Sequence, residues 1–351
     1  MERFATILLD WYATHKRDLP WRGTSDPYRI WISEIILQQT RVAQGRAYYE
    51  RFVARFPDVK SLAAASEDEV LRHWQGLGYY SRARNLHAAA KSVAEGFPNT
   101  YEEVRALKGV GEYTAAAICS IAYDLPYAVV DGNVYRVLAR YMGMDVPIDS
   151  ATGKKDFAKL ARAMMPEECP GLYNQAIMDF GAMQCTPSAP NCLSCPLADS
   201  CVALGAGRVA ELPVKQGRTK VRDRFFTYIY VRAGAYTFIH KRAGKDIWEG
   251  LYELPLIETP IPLGSLDELV DRPEWKRWLG GSVPTDVRMK FQGVKHVLSH
   301  QVIRADFYEV CLPEDAAAWG GFQKIAHADL VRYAFPRLVH AFLLQEGALQ
   351  E

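Results

Sequence analysis

The spacing of apolar residues changes near residue 205, and this change is the strongest constraint on the fold. Before it, apolar residues recur at helical intervals, and no stretch of any length alternates as a β-strand does. After residue 224 the period becomes two, in residues 225–231 and 236–240, which flank a glycine-containing turn. We therefore predict an all-α, bundle-like region over residues 1–205 and an α+β domain over residues 225–351.

Local signals support this division. Three pairs of residues have the spacing of helix caps, and the first of them predicts a helix over residues 28–41. The pairs are Asp26 with Pro27, Ser66 with Glu69, and Thr100 with Glu103. In the second domain, residues 302–312 are expected to form a strand and residues 326–345 helices. Between the domains, residues 206–224 contain six Lys or Arg residues and few large apolar ones, so we expect a linker there.

Composition excludes several classes of protein. A length of 351 residues allows two domains, and 49% hydrophobic with 24% charged residues excludes intrinsic disorder. The formal charge of +1 does not by itself point to nucleic acid, to a membrane surface or to an acidic partner. No apolar run approaches the roughly 18–20 residues of a membrane span, and the start of the chain lacks the pattern of a signal peptide. A cytoplasmic protein is the expectation.

A run of four cysteines has the pattern C-x6-C-x2-C-x5-C, formed by Cys185, Cys192, Cys195 and Cys201. In a cytosolic chain such a cluster favours a metal site over disulfides. Thiolates at close, uneven spacing are typical of a cubane iron–sulfur cluster, whereas zinc sites usually pair two C-x2-C knuckles. Zinc, or no metal at all, remains the alternative from spacing alone.

A very short glycine turn joins two of the predicted helices, with the sequence Leu107-Lys108-Gly109-Val110-Gly111. Its glycines permit a left-handed backbone, and free N–H groups at the start of the next helix form a natural anion site. This pattern favours a helix-hairpin-helix that binds DNA phosphate. A plain corner between two helices is the alternative.

The chain resembles the helix-hairpin-helix DNA glycosylase superfamily in the order of its motifs: the hairpin, an aspartate 20 residues after Gly111, and the four-cysteine run. Within that superfamily it is similar to the adenine DNA glycosylase (MutY) family. The motifs that carry this likeness are SEIILQQT at residues 33–40, GLGYYSRARNL at residues 76–86 and VDGNVYRVLAR at residues 130–140. The resemblance covers nearly the whole chain and implies a [4Fe-4S] cluster as cofactor.

Two carboxylates are the candidate catalytic groups. Glu34 lies on an otherwise apolar helix face, where burial favours its protonated form, so it is the candidate general acid for the departing adenine. Asp131 precedes a helix start, where it would stabilise the cation left on the sugar or attack it. The resemblance gives Asn133 the role of hydrogen-bonding Asp131. Taken singly, each acid also fits a solvated or capping role, and Asn133 fits a turn.

The residue at position 113 distinguishes glycosylases that only remove the base from those that also cleave the DNA strand. The resemblance places here a lysine in relatives that also cleave the strand, and this chain has Tyr113. We therefore expect monofunctional excision, with an abasic site as product.

DNA contacts are expected where motif residues match those of the family. Such residues would wedge into the base stack, contact the base left behind, bind phosphate or line the adenine pocket. They are Gln39, Thr40, Leu77, Tyr79, Lys108, Gly109, Val110, Gly111 and Arg22, with Trp21 beside it. Tyr79 is the expected intercalator; the alternative is that Leu77 and Tyr79 are core residues.

The second domain resembles the Nudix-like domain of adenine DNA glycosylases, which lacks the metal-binding helix of a Nudix hydrolase. In the family this domain recognises 8-oxoguanine, and the recognising loop matches Leu298, Ser299 and His300. Leu298 departs from the usual aromatic residue, and the loop between Cys185 and Cys192 lacks the family's basic residues. A simple strand-end turn is the alternative for Ser299 and His300.

The sequence therefore predicts a monomeric, monofunctional glycosylase that excises adenine opposite 8-oxoguanine or guanine in double-stranded DNA, with no membrane partner. The rival hypotheses are a bifunctional pyrimidine-lesion glycosylase/lyase and a non-catalytic iron–sulfur DNA-binding protein. A nucleotide pyrophosphatase is a third, but its metal ligands are missing.

Overall fold

The structure, a computed structural model, describes residues 2–217, 221–279, 282–314 and 319–349. It divides into two compact units. The first contains residues 1–65 and 85–217, and the second contains residues 66–84 and 218–351. Within the described ranges, no helix has both the length and the apolar character needed to cross a membrane.

From residue 2 to residue 205 every regular element is helical, as the sequence predicts. In chain order they are α1 (Glu2–His15), α2 (Pro27–Leu37), α3 (Val42–Arg55), α4 (Val59–Ala64), α5 (Glu67–Trp74), α6 (Ser81–Ser92), α7 (Tyr101–Ala106), α8 (Glu112–Tyr123), α9 (Gly132–Met142), α10 (Ala151–Met164), α11 (Pro170–Met183) and α12 (Val202–Gly205). Of these, α5 and the start of α6 belong to the second unit.

The core of the first unit forms where α1, α9, α10 and α11 pack together. On α9 the buried Val134, Val137 and Leu138 follow the helical spacing i, i+3, i+4, so one face of this helix points to the core. Phe157 of α10 and Phe180 of α11 are also buried in this cluster. The packing fixes the N-terminus of α9, which carries Asp131.

Helix α2 begins as predicted but ends early. Asp26 accepts a hydrogen bond from the Tyr28 N–H, and Pro27 occupies the first turn. The predicted extension to residue 41 is wrong, because α2 ends at Leu37 and Gln39 has a left-handed φ of 59°. A non-glycine residue in this conformation cannot continue the helix.

The first part of the expected linker packs against the first unit. Leu212 is buried in its core, and the Ile148 N–H donates to the Val214 carbonyl. The carboxylate of Asp149 accepts hydrogen bonds from the N–H groups of Gln216 and Gly217. Apolar Leu212 and Val214 explain this packing, which a count of charges alone does not reveal.

The second unit is built on a mixed sheet in the order β3-β2-β1-β6-β5, with β4 paired to β1 and β7 paired to β2. Strands β1 and β6 are parallel, and the other pairs are antiparallel. The strands are β1 (Arg222–Ala233), β2 (Tyr236–Lys241), β3 (Tyr252–Glu253), β4 (Leu256–Thr259), β5 (Asp286–Val297), β6 (Gln301–Leu312) and β7 (Gln323–Ala326). The helices are α13 (Leu266–Val270), α14 (Pro273–Leu279) and α15 (Arg337–Gln345).

The predicted hairpin and the predicted strand over residues 302–312 are confirmed, as β1–β2 and β6. Each face of the sheet carries a hydrophobic cluster, one around Phe307 and Phe342 and the other around Trp275 and Trp319. The tail is only partly helical as predicted, since Ala326 ends β7 and a 3₁₀ turn over His327–Arg332 precedes α15. The α+β character of this domain is confirmed.

Candidate active site

Glu34 is buried within α2, with 8% of its surface exposed. The Tyr113 hydroxyl donates to its Oε2 at 2.8 Å and also lies 3.3 Å from the Met178 sulfur. Burial raises the pKa of Glu34 above its ordinary value of 4.5, and the nearby charge of Asp131 raises it too. The Tyr113 hydrogen bond and the Arg22 charge oppose this rise. The environment therefore favours the protonated acid that sequence analysis assigns to Glu34.

Asp131 is the N-cap of α9. Its Oδ1 accepts hydrogen bonds from the N–H groups of Asn133 and Val134 at 2.9 and 2.8 Å, and its Oδ2 accepts from Asn133 Nδ2 at 2.8 Å. Burial raises the pKa of this carboxyl, while the three hydrogen bonds oppose the rise. The cap fixes the carboxylate in one orientation, so capping and catalysis are compatible roles for Asp131.

Arg136 extends this arrangement, and sequence analysis missed it. Its Nη2 donates to Asn133 Oδ1 at 2.9 Å and to the Gly181 carbonyl, while its Nε donates to the Cys185 carbonyl at 2.6 Å. The side chain is almost fully buried. The sequence did contain a signal for this role, because Arg136 stands among the core positions of an amphipathic helix. A buried guanidinium there requires hydrogen-bond acceptors around it. Asn133 is thus held from two sides.

Arg22 forms an ion pair with the buried Asp179, and its Nη2 donates to Asp179 Oδ1 at 3.0 Å. Its Nε is buried and has no hydrogen-bond partner among the described residues. Arg22 also lines a surface cleft of about 450 Å³. Trp21 beside it is buried and packs edge-on against Tyr49 at 5.1 Å, so it has a core position. Asp179 is a further site residue that sequence analysis missed.

The hairpin between α7 and α8 has the expected backbone. Gly109 has a φ of +82°, and a Cβ there would meet the Asn85 Cβ at 2.7 Å, so only glycine fits. Gly111 caps α8 without a side-chain hydrogen bond, which leaves the first N–H groups of the helix without a side-chain acceptor. Lys108 is exposed beside them, and Val110 is buried underneath.

The remaining expected DNA contacts divide between the two units. In the first, Gln39 is exposed and Thr40 half-buried where the chain leaves α2. In the second, Leu77 is buried, whereas Tyr79 is 44% exposed and has a left-handed φ of 48°. The Tyr79 hydroxyl is hydrogen-bonded to the Ser299 hydroxyl. The structure thus brings together two residues that are 220 positions apart.

Ser299 and His300 lie in the tight turn between β5 and β6. Its first residue, Leu298, donates from its N–H to the Gln301 carbonyl at 2.8 Å and packs partly into the core. The Arg222 N–H donates to the His300 carbonyl at 3.1 Å, which ties the turn to β1. Ser299 and His300 are exposed at its tip. A rigid turn therefore presents these two polar side chains to solvent.

The four cysteines of the run line one common cavity. Arg140 also lines it and donates from Nη1 to the Cys185 sulfur at 3.4 Å and to the Thr186 carbonyl at 2.7 Å. In the part of the chain that the structure describes, no three His, Cys, Asp or Glu side chains form a site for a metal ion. Four thiols around one cavity, braced by a buried cation, are a donor set that fits a cluster of several irons.

Comparisons with known proteins agree with this site. Residues 32–162 match the family model described as HhH-GPD superfamily base excision DNA repair protein, and residues 227–345 match a NUDIX domain model. The adenine DNA glycosylase of Buchnera aphidicola (Schizaphis graminum) is 35% identical over 266 residues, which cover 74% of this chain and 76% of that protein. The adenine DNA glycosylase of Homo sapiens is 42% identical over 367 residues, which cover 88% of this chain and 67% of that protein.

Solved structures share the helical fold. A thermostable thymine-DNA glycosylase superposes with a TM-score of 0.54 at 29% identity, covering 58% of this chain and 96% of that one. An Endonuclease III–DNA complex superposes with a TM-score of 0.51 at 21% identity, covering 59% of this chain and 95% of that one. This second likeness concerns the fold only. The relatives that match over most of this chain are adenine glycosylases. This chain belongs to the adenine DNA glycosylase family of base excision repair proteins.

Proposed function

We propose that the protein excises adenine paired with 8-oxoguanine, or with guanine, in duplex DNA and leaves an abasic site without cutting the strand. Membership of the family makes it an adenine-specific DNA N-glycosylase of base excision repair, with DNA as its partner. The observation that carries the rest is the buried Glu34, hydrogen-bonded to Tyr113 and influenced by the charge of Asp131.

Protonated Glu34 gives its proton to a ring nitrogen of adenine, and the N-glycosidic bond then breaks with its electron pair going to the base. The cation left at C1′ is stabilised by the Asp131 carboxylate, or is captured by it as a transient ester. Water then adds to C1′, and ionised Glu34 takes its proton. The abasic sugar and free adenine account for all atoms, and Glu34 ends protonated as it began.

Arg22 and Tyr113 would orient the base and the sugar. The unpartnered Nε of Arg22 is a buried donor, and a ring nitrogen of adenine is an acceptor of the right kind. Tyr113 stands where lyase relatives have a lysine, and its hydroxyl donates to Glu34. A phenol cannot form a Schiff base with the sugar, which supports monofunctional excision.

The base must leave the stack before Glu34 reaches it. Lys108 and the N–H groups around Gly109, Val110 and Gly111 would bind backbone phosphate, because an uncapped helix start attracts anions. Gln39, Thr40, Leu77 and Tyr79 are expected to replace or contact the displaced base. Tyr79 is exposed in its turn, whereas Leu77 would first have to leave its buried position.

Ser299 and His300 would read the base opposite the adenine. Both are exposed at the tip of a rigid turn, and both can hydrogen-bond the edge that oxidation changes in guanine. Leu298 packs partly into the core, so it would support the turn rather than stack on a base.

The cysteine cavity would hold a [4Fe-4S] cluster on Cys185, Cys192, Cys195 and Cys201. Such a cluster would supply electron transfer, which hydrolysis of a glycosidic bond does not require. We propose a structural role for it here, with redox-linked DNA affinity as the alternative. Two arginines of α9 link this helix to the cavity: Arg140 donates to the Thr186 carbonyl, and Arg136 donates to the Cys185 carbonyl.

The test uses duplexes with one A:8-oxoguanine, A:G or A:T pair, and free adenine is measured before and after alkali. We expect release from the first two duplexes and strand breaks only after alkali. Glu34→Gln and Asp131→Asn should abolish release, and Ser299→Ala with His300→Ala should reduce the preference for the oxidised partner. Release that survives both acid substitutions would refute the mechanism, and strand breaks before alkali would favour a lyase.

A further inference from the structure

Residues 66–84, here called the wedge segment, belong to the second unit although helices of the first unit precede and follow them in sequence. The segment consists of α5, the wedge turn at residues 75–80 and the start of α6. Its turn carries Leu77 and Tyr79, the expected wedge residues. Three groups of contacts attach this segment to the C-terminal sheet domain, and the first two of them involve no residue with an expected base-contacting role.

The first attachment lies in α5. Asp68 forms an ion pair with Lys241, and its Oδ2 accepts a hydrogen bond from the Tyr252 hydroxyl at 3.1 Å. Lys241 and Tyr252 are directly opposite each other on β2 and β3. One carboxylate therefore holds the start of the segment to two neighbouring strands.

The second attachment lies at the start of α6. Arg84 pairs with the Glu249 carboxylate at 2.8 Å and also donates to the Glu249 carbonyl. The next residue, Gly250, has a φ of +83°, and a Cβ there would come within 3.3 Å of Leu71 and 3.6 Å of Arg84. The backbone of this loop thus lies directly against the segment, and any larger residue at 250 would be strained and crowded.

The third attachment is the turn itself. Gln75 accepts a hydrogen bond from the Phe335 N–H at 3.1 Å, and Tyr79 is hydrogen-bonded to Ser299. The turn is also braced internally, because the Trp74 indole N–H donates to the Gly78 carbonyl. The segment is thus fixed at both ends and in the middle to the domain that carries Ser299.

We propose that Asp68 and Arg84 are positioning residues through which the C-terminal sheet domain holds the wedge, so that opening of the duplex depends on reading of the opposite base. This inference rests on the proposed function. Unstacking a base step costs a few kcal/mol. A wedge residue can keep the step open only if the protein segment that carries it is held in place. Because the wedge and the reading turn share one body, correct contacts at Ser299 also place Tyr79.

The test is a double-mutant cycle in the full chain with Arg84→Gln, Glu249→Gln and both together. Single-turnover adenine release is measured on A:8-oxoguanine and A:G duplexes, with 2-aminopurine beside the target adenine reporting base extrusion. We expect each single substitution to lower the preference for the oxidised partner about fivefold and to slow extrusion. A fivefold change corresponds to a contribution of about 1 kcal/mol from the ion pair. The double variant should be no worse than the singles, and Arg84→Lys should restore part of the preference.

The matched control is Arg288→Gln, which removes an exposed arginine of the same domain that is paired with Asp286. It should leave preference and extrusion unchanged. An Arg84→Gln variant with lower Tm but unchanged preference would mean a purely structural contact and would overturn the inference, as would an equal effect of the control. If the wild-type protein itself shows no preference for 8-oxoguanine, the proposed lesion reading fails instead.

Discussion

Glu34→Gln should make the protein more stable and inactive at the same time. The carboxyl is buried, and burial raises its pKa in the folded state above the ordinary 4.5. The folded state therefore binds the proton more tightly than the unfolded state does, and the ionised group costs stability as pH rises above the unfolded value. Gln cannot ionise, and its carbonyl still accepts the Tyr113 hydrogen bond. The variant should gain relative stability as pH increases.

The gain is about 1.4 kcal/mol for each unit by which the folded and unfolded pKa values differ. Tyr113 and Arg22 offset part of the burial, so the gain is smaller than burial alone would give, but it remains positive because burial is the largest influence. Calorimetry of both proteins between pH 3.5 and pH 8 measures this difference. It should be smallest below the unfolded pKa of about 4.5, grow as pH rises towards the folded pKa, and stay constant above that.

The control is Glu112→Gln, which changes an exposed carboxylate in the first turn of α8. Removing a negative charge there weakens the interaction with the helix dipole, so this variant should be slightly less stable at neutral pH, opposite in sign to Glu34→Gln. A Glu34→Gln difference that is constant across this whole pH range, or that shrinks as pH rises, would refute the assignment of a raised pKa.

Three further predictions concern the same site. Asn133→Ala removes one of the three hydrogen bonds that oppose the raised pKa of Asp131, so the acid limb of the pH–rate profile should move to higher pH; an unmoved limb would contradict the role of this amide. Tyr113→Phe should slow adenine release about tenfold, since a hydrogen bond to a charged group contributes about 1.5–3 kcal/mol, and the basic limb should move to higher pH because the bond lowers the pKa of Glu34. Cys195→Ser should lower iron content and Tm together, as measured by metal analysis and thermal melting; full iron retention would exclude this cysteine as a ligand.

Local patterns predicted the caps and turns of the first unit well. Asp26 and Asp131 each cap a helix as their sequence context indicates, because a cap depends on residues two or three positions apart. Asp179 was missed because its partners are distant, with Arg22 lying 157 positions away. Two of the acceptors around Arg136, the Gly181 and Cys185 carbonyls, are also distant, at 45 and 49 positions. Such pairs depend on how helices pack, and no local spacing encodes them.

The edge strand β5 was also missed. Its residues are mostly exposed or half-buried, so apolar residues do not alternate clearly along it. Two register irregularities further disturb the period of two. Similarly, the cap at Ser66 predicted α5 correctly, but nothing in that pattern indicates that α5 packs against the C-terminal sheet domain.

The division of the second unit between residues 66–84 and 218–351 sets an order of events during synthesis. At about 5–20 residues per second, a ribosome needs roughly ten to fifty seconds to go from the end of the first part to the end of the second. For more than half of that interval Asp68 and Arg84 have no Lys241 or Glu249 to pair with. We therefore expect the wedge segment to reach its final form only after the strands and the loop that carry Lys241 and Glu249 have been synthesised.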